Sequence, residues 1–322
     1  MDEQRYRDAE AALFADAGID PIERRIDLPT IGTVARVLEI GDGNPTVFLH
    51  GGPDAAATWS YLAAAATGVR CYLVDRPGCG LSEPPRTIPT AADLPAYVSR
   101  LSVDVLDALG LERATVVGCS FGGYSALRSA ADHPDRVDRV VLAGCPAFVP
   151  GWNPPKLATM LRTPLLGRLL LAAPATPHTV RLSLRQLGHR RSLAAGRIPE
   201  PMLAWVLAWQ RHTNTLRNDA TMIVGCGTWR GGFDPRLDFD ENDLGAVTVP
   251  CQILSGTDDP VGGVDVTDRL ASSLPDATVE VLDHAGHLPW LDDPVRSAAH
   301  LSQFVRYDRR PAGSEMSDPD HS

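Results

Sequence analysis

A chain of 322 residues, 44% hydrophobic and 22% charged, has the composition of a globular protein with a substantial core. A net charge of −10 argues against general nucleic-acid binding, and no apolar run is long enough to span a bilayer. The six cysteines form no Cys-x-x-Cys pair, which disfavours a disulfide framework or a zinc site, and the polar N-terminus carries no secretory signal, so a reducing cytoplasm is the expected setting.

Residues 2–17 have the pattern of an amphipathic helix with Tyr6, Ala9, Leu13 and Phe14 on one side. Residues 1–29 are expected as an N-terminal extension. Strands follow at 22–28 and 33–40, then a turn at Gly41-Asp42-Gly43-Asn44-Pro45. Thr46–Leu49 reads as a buried strand running into His50-Gly51-Gly52-Pro53. A glycine pair directly after a central strand is either a tight turn or a way to aim a backbone N–H into a cleft. His50 is expected to orient this loop.

An Ala-rich helix at 55–66 leads to a strand at 69–74, which ends in Asp75-Arg76-Pro77-Gly78-Cys79-Gly80. Asp75 is expected as a structural anchor of that turn. A long helix at 90–110 places Leu94, Val98, Leu101, Val105 and Leu109 at core spacing.

Ala114–Val117 is the next apolar strand. It enters Gly118-Cys119-Ser120-Phe121-Gly122, and a helical pattern follows. A Gly-x-Ser-x-Gly between strand and helix is a nucleophile elbow, in which the serine sits on a turn too sharp for bulky neighbours two positions away. A chain this long contains about 0.1 such patterns by chance. Arg139–Gly144 is a further buried strand. Near-continuous apolar strands alternating with helices indicate an α/β fold with a mostly parallel sheet covered on both faces.

The rhythm stops at Cys145-Pro146. Residues 146–245 show helical patterns at Lys156–Ala172, His178–Leu187, Pro201–Asn214 and Asn218–Cys226, and are expected as a helical cap inserted after the sixth strand. The stretch Lys156–Arg197 holds eight basic residues and no acidic one, which leaves a net −18 on the remainder. That is either a solvated helical face or an attraction for an anionic substrate, partner or membrane surface. Trp205 and Trp209 share a helix face, as packing residues or as lining of a substrate pocket. Cys226 is expected as a buried thiol.

The sheet resumes at Val249–Ser255, followed by Gly256-Thr257-Asp258-Asp259-Pro260. A carboxylate after a late strand is where an elbow enzyme orients its histidine, and both Asp258 and Asp259 are available. The last strand, Ala277–Leu282, ends in Asp283-His284-Ala285-Gly286-His287. His287 is the candidate general base, with Gly286 freeing its loop, and His284 is a loop residue. Helices are expected at 264–274 and 294–306. The polar tail at 308–322 is expected to be disordered.

The chain order Ser120, acid, His287, together with His50-Gly51-Gly52-Pro53, Asp75-Arg76-Pro77-Gly78-Cys79-Gly80 and Gly256-Thr257-Asp258-Asp259-Pro260, resembles the α/β-hydrolase superfamily over residues 30–306. The resemblance implies a core at 30–145 and 246–307, and favours Asp259 as the acid because it lies three residues after Gly256. It further implies Ser120 as nucleophile, His287 as base, and an oxyanion hole from the amides of Gly52 and Phe121. No metal or organic cofactor is implied, and the partner is a small-molecule substrate. An exposed apolar cap face would suit a homodimer.

Haloalkane dehalogenases and epoxide hydrolases resemble this pattern but use an aspartate nucleophile where this chain has Ser120. Proline iminopeptidases are similar around His50-Gly51-Gly52-Pro53, but this chain departs from them at Asp54 and at Arg76-Pro77. The expected activity is therefore cleavage of a carboxylic ester, thioester or lactone of a small apolar molecule. A proline iminopeptidase-like aminopeptidase needs an acid such as Glu200, Asp219 or Asp234 to hold the substrate ammonium. A lyase or cyclase would use the same serine and histidine as acid–base groups.

Overall fold

The computed structural model describes residues 2–228 and 232–306. One sheet contains eight strands: β1 (Ile22–Leu28), β2 (Thr33–Ile40), β3 (Asn44–Leu49), β4 (Val69–Val74), β5 (Ala114–Gly118), β6 (Val137–Ala143), β7 (Cys251–Gly256) and β8 (Ala277–Leu282). Their spatial order is β1-β2-β4-β3-β5-β6-β7-β8. The pairs β1–β2 and β2–β4 are antiparallel, and every later pair is parallel.

Alternation along the strands explains the two-faced core. Val47, Leu49, Val116, Val140 and Leu142 join one apolar cluster, with the helix Leu94–Leu109 and the elbow helix Phe121–Asp132. Phe48, Val117, Val141 and Leu254 point the other way, to a cluster containing Trp59, Trp205 and Trp290. Both faces are dry, so the central strands carry almost no polar residues. The reactive groups are thereby left to the loops at the carboxyl ends of the parallel strands.

The expected division at residue 29 falls inside a hairpin. β1 pairs with β2 along its whole length, from Ile22 with Glu39 to Leu28 with Thr33, so the sheet begins at Ile22 rather than at residue 30. The helix Glu3–Ala17 buries Tyr6 and Leu13, but it also buries Glu10. Glu10 accepts hydrogen bonds from the Tyr6 hydroxyl at 2.8 Å and from Arg36 Nη1 at 2.9 Å, and Arg36 Nη1 also reaches Asp75 Oδ2 at 3.3 Å. A buried ion network therefore replaces the purely apolar face that the spacing suggested.

Between β6 and β7 the described residues form helices and one isolated bridge, Gly227 with Phe233. The single helix expected at Lys156–Ala172 is two, Lys156–Arg162 and Pro164–Ala172. Thr163 between them is extended, because a proline opens the second helix and cannot continue the first. The chain also returns to the core before residue 246. Leu237, Phe239 and Leu244 join the buried cluster of the elbow helix, and Phe239 N donates to Phe148 O at 2.9 Å. The tail at 308–322 lies outside the described residues. Among the described residues, no helix is long and apolar enough to cross a membrane.

Candidate active site

Ser120 occupies the turn between β5 and the elbow helix with φ +53° and ψ −116°. A non-glycine residue rarely adopts this backbone, and it persists only where the surroundings over-determine it. The surroundings here are glycines. A Cβ on Gly118 would lie 2.3 Å from Gly122 O, and one on Gly122 would lie 1.9 Å from Leu49 O. The neighbouring Cys119 thiol is pushed well above its ordinary pKa by burial and then by Asp259, so it stays neutral beside the serine.

His287 and Asp259 meet across the ends of β8 and β7. His287 Nδ1 lies 3.0 Å from both Asp259 carboxylate oxygens. The carboxylate is held from behind: Oδ1 accepts from Val261 N at 2.8 Å, and Oδ2 from Cys145 N at 3.2 Å. With Nδ1 committed as donor, Nε2 is the basic nitrogen, and it has no hydrogen-bond partner among the described residues. Asp258 lies apart, 3.4 Å from Arg191 Nε. His284 is an exposed loop residue with φ +61°.

The glycine loop after β3 is positioned by Arg76. Its Nε donates to His50 O at 3.0 Å and its Nη2 to Gly51 O at 2.9 Å, while its backbone N donates to His50 Nε2 at 3.1 Å. Burial, then the Arg76 charge, push His50 well below its ordinary pKa, so it remains a neutral orienting group. Arg76 Nη2 also pairs with Asp219 Oδ2 at 2.9 Å, and its guanidinium sits 4.7 Å over the Phe121 ring. Burial opposes the Arg76 charge, but Asp219 more than offsets that, and the arginine pKa is raised. Among the described residues, the amides of Gly52 and Phe121 donate to no protein acceptor. Asp75 is the turn anchor, accepting from Ala56 N at 2.7 Å and Leu81 N at 3.0 Å.

Two cavities meet at Ser120 and Gly52. The first, about 160 Å³, contains His287 and is walled by Val180, Leu184, Met202, Val206 and Trp209. The second, about 50 Å³, is lined by Phe121, Phe148, Trp152, Met222 and Phe233. The helix Glu200–His212 therefore splits the two tryptophans. Trp209 shares the cavity face with Met202, Val206 and Gln210, whereas Trp205 is fully buried in the core cluster and lines neither cavity. The expectation that Trp205 lines the pocket is corrected: a turn of 3.6 residues puts it on the flank of the 202/206/209 stripe.

Three further groups were not singled out from the sequence. Asp54 lines the first cavity, half-buried, with Oδ1 accepting from Ala55 N at 2.9 Å. Burial, only partly opposed by that hydrogen bond, pushes its carboxyl up to about 7. His189 and Asp292 clamp the His287 loop. His189 Nδ1 lies 2.8 Å from Asp292 Oδ2, which also accepts from Gly286 N at 2.8 Å, and His189 Nε2 accepts from Leu288 N at 3.3 Å. His287 N itself donates to Leu187 O at 2.8 Å. Asp54 had one signal, its place directly after His-Gly-Gly-Pro; His189 and Asp292 had none.

The site thus holds a buried hydroxyl on a sharp turn, an imidazole backed by a carboxylate, and two backbone donors without a partner among the described residues, where two apolar cavities meet. Comparisons with known proteins place the fold in a family. Residues 44–294 match the family described as alpha/beta hydrolase fold. Epoxide hydrolase A of Mycobacterium tuberculosis is 29% identical over 317 residues, covering 88% of this chain and 97% of that one. The 2-hydroxy-6-oxononadienedioate/2-hydroxy-6-oxononatrienedioate hydrolase of Paraburkholderia phymatum is 30% identical over 282 residues, covering 85% and 92%. Among solved structures, naproxen esterase of Bacillus subtilis superposes with a TM-score of 0.68 at 20% identity, covering 94% of this chain and 98% of that one. The 2-hydroxy-6-oxo-6-phenylhexa-2,4-dienoate hydrolase of a Rhodococcus species gives 0.70 at 22% identity, covering 90% and 100%. With a family match over most of its length and a fold shared with these structures, this chain belongs to the α/β-hydrolase family of enzymes.

Proposed function

We propose that the enzyme hydrolyses a carboxylic ester, thioester or lactone with apolar groups on both sides of the scissile carbonyl. The observation that carries this is the Asp259–His287 pair, with Nε2 unpartnered, beside a serine held at φ +53°. His287 Nε2 takes the Ser120 proton as Oγ bonds to the carbonyl carbon. Asp259 keeps Nδ1 protonated and stabilises the imidazolium. The Gly52 and Phe121 amides receive the oxyanion, where losing one donor typically costs about 3–4 kcal/mol. His287 then gives its proton to the leaving oxygen or sulfur. Water, deprotonated by the same nitrogen, attacks the acyl-enzyme and releases the acid.

Three observations weigh against other chemistries. Ser120 stands where epoxide hydrolases are expected to carry aspartate. An aminopeptidase needs a charged carboxylate for the substrate ammonium, yet Asp219 is paired with Arg76, Glu200 with Arg181 and Asp234 with Arg236, and burial pushes the carboxyl of Asp54, which lines the first cavity, up to about 7 and away from its charged form. The relative is named for a dienedioate, a dianion, whereas the walls next to Ser120 are mainly apolar, which weighs against a carboxylate directly beside the scissile carbonyl.

Labelling with a fluorophosphonate probe, alongside hydrolysis of p-nitrophenyl esters of increasing chain length, tests the proposal. Labelling and turnover that disappear in Ser120→Ala and His287→Ala support it. A folded protein that neither labels nor turns over any ester would overturn it in favour of a lyase use of the same groups.

A further inference from the structure

Beside the first cavity lies a groove lined by Lys156, Arg185, Arg190, Arg191 and Leu182. Lys156, Gln186 and Pro260 line both groove and cavity, so the two spaces adjoin. Among the described residues, the only acid lining the groove is Asp258, and it is paired with Arg191. Lys156, Arg185 and Arg190 are exposed and pair with no carboxylate among the described residues. All four cations come from the insertion stretch that has eight basic residues and no acid, in a chain of net charge −10. Three cations without a carboxylate partner among the described residues thus converge beside the apolar cavity, in a chain whose net charge is acidic, and focus a positive potential there.

We propose that this groove binds an anionic end group, a carboxylate or a phosphate monoester, on the substrate arm that fills the first cavity. The inference rests on the ester-hydrolase reading above and narrows its substrate to an amphiphile. The apolar segment occupies the wall of Val180, Leu184, Met202 and Val206, and its charged terminus reaches Lys156, Arg185 and Arg190. Arginine suits such a terminus through bidentate hydrogen bonding, and lysine as a point charge.

Two matched sets of aryl or alkyl esters test this. One carries the terminal carboxylate, phosphate or methyl-ester cap on the acyl arm, the other on the alcohol arm, each over a range of chain lengths. In one of the two sets, an anionic cap should raise kcat/KM roughly five- to tenfold over the methyl-ester cap at low salt, as suits exposed pairs acting together. The preference should shrink between about 10 mM and about 1 M salt, as screening shortens from about 30 Å to about 3 Å. Comparison of the carboxylate and phosphate caps identifies which anion is preferred. In Arg185→Glu/Arg190→Glu the preference should fall to one or below. Because it is a ratio within each protein, a general loss of activity cancels.

Should no ester be turned over, the hydrolase reading fails by itself. Calorimetric binding of decanedioate against its dimethyl ester, in Ser120→Ala and in Ser120→Ala/Arg185→Glu/Arg190→Glu, then decides the groove separately. Salt-sensitive preference for the dianion, lost with the two glutamates, supports the proposal. Equal treatment of anionic and neutral caps, or a preference that survives the charge reversal, overturns it. So does binding to phosphatidylglycerol vesicles with no preference among the soluble esters.

Discussion

Arg76 Nη2 and Asp219 Oδ2, 143 residues apart in sequence, lie 2.9 Å apart and join the loop carrying Gly52 to the helix Thr215–Gly225 of the insertion. The contact is tight on both sides: a Cβ on Gly52 would lie 2.6 Å from Asp219 Oδ2. The backbone that aims the Gly52 amide is therefore supported by a residue of the insertion. Asp219→Ala leaves Arg76 buried without a counter-charge, which typically costs about 3–5 kcal/mol. It should also lower kcat by about tenfold to hundredfold with little change in KM, as a small misplacement of a donor does. Replacing both charges, Arg76→Met with Asp219→Leu, should recover much of the stability but not kcat. Denaturant unfolding and ester kinetics on the three proteins check this.

Asp259→Asn should reduce kcat by about 10³- to 10⁴-fold, because an amide no longer fixes the His287 tautomer. Asp258→Asn, which alters only a 3.4 Å surface pair with Arg191, should change stability by less than about 1 kcal/mol and leave neutral-ester turnover near the native value. Parallel kinetics on the two neighbours discriminate between them.

The elbow glycines should not tolerate a methyl group. Gly122→Ala puts Cβ 1.9 Å from Leu49 O and should destabilise by more than about 4 kcal/mol. Gly110→Ala, with φ +68° but nothing within 4 Å, should cost only about 1 kcal/mol. Urea midpoints of the two variants give the comparison.

Asp54 has a pKa raised to about 7 by burial. The folded protein therefore holds this proton where an unfolded chain, with a pKa of about 4, has lost it. Its contribution is fully present below pH 4 and is lost as pH rises through about 7. Asp54→Asn should match the native stability at pH 4 and exceed it at pH 8. The gain is about 2 kcal/mol, less than the whole shift would supply because the side chain is only half-buried against the cavity. Unfolding free energies across that range test the sign.

Val206→Trp narrows the first cavity from the face that Met202 and Trp209 share, and should shift the preferred ester to shorter chains. Trp205→Phe lies off that face and should leave the chain-length optimum in place, whatever it costs in stability.

Much of the sheet was legible because each central strand is buried on both faces and must be almost wholly apolar, as Val116-Val117 and Val140-Val141 are. Ser120 was legible for a related reason. Its turn excludes every side chain at positions 118 and 122, which leaves a local glycine signature. The acid and the histidine followed from their places after β7 and β8, and the resemblance favoured Asp259, although only the fold sets Asp259 against His287 and Asp258 beside Arg191. β1 was legible as a strand, but not as the edge of the main sheet, since pairing is a relation between segments.

Of the groups contributed by the insertion, Trp209 and Asp219 were candidates in the sequence, but what they touch was not legible, and His189 carried no signal. Asp219, His189 and the separation of Trp209 from Trp205 depend on how helices dock over a core far away in sequence. Docking is decided by the summed packing of many side chains and carries no local pattern. The sequence by itself thus determined the sheet, the elbow and the chemical types at the strand ends, because steric exclusion and burial act within a few residues. Tertiary structure alone decided which insertion residues reach the site, because those contacts exist only once the helices are in place.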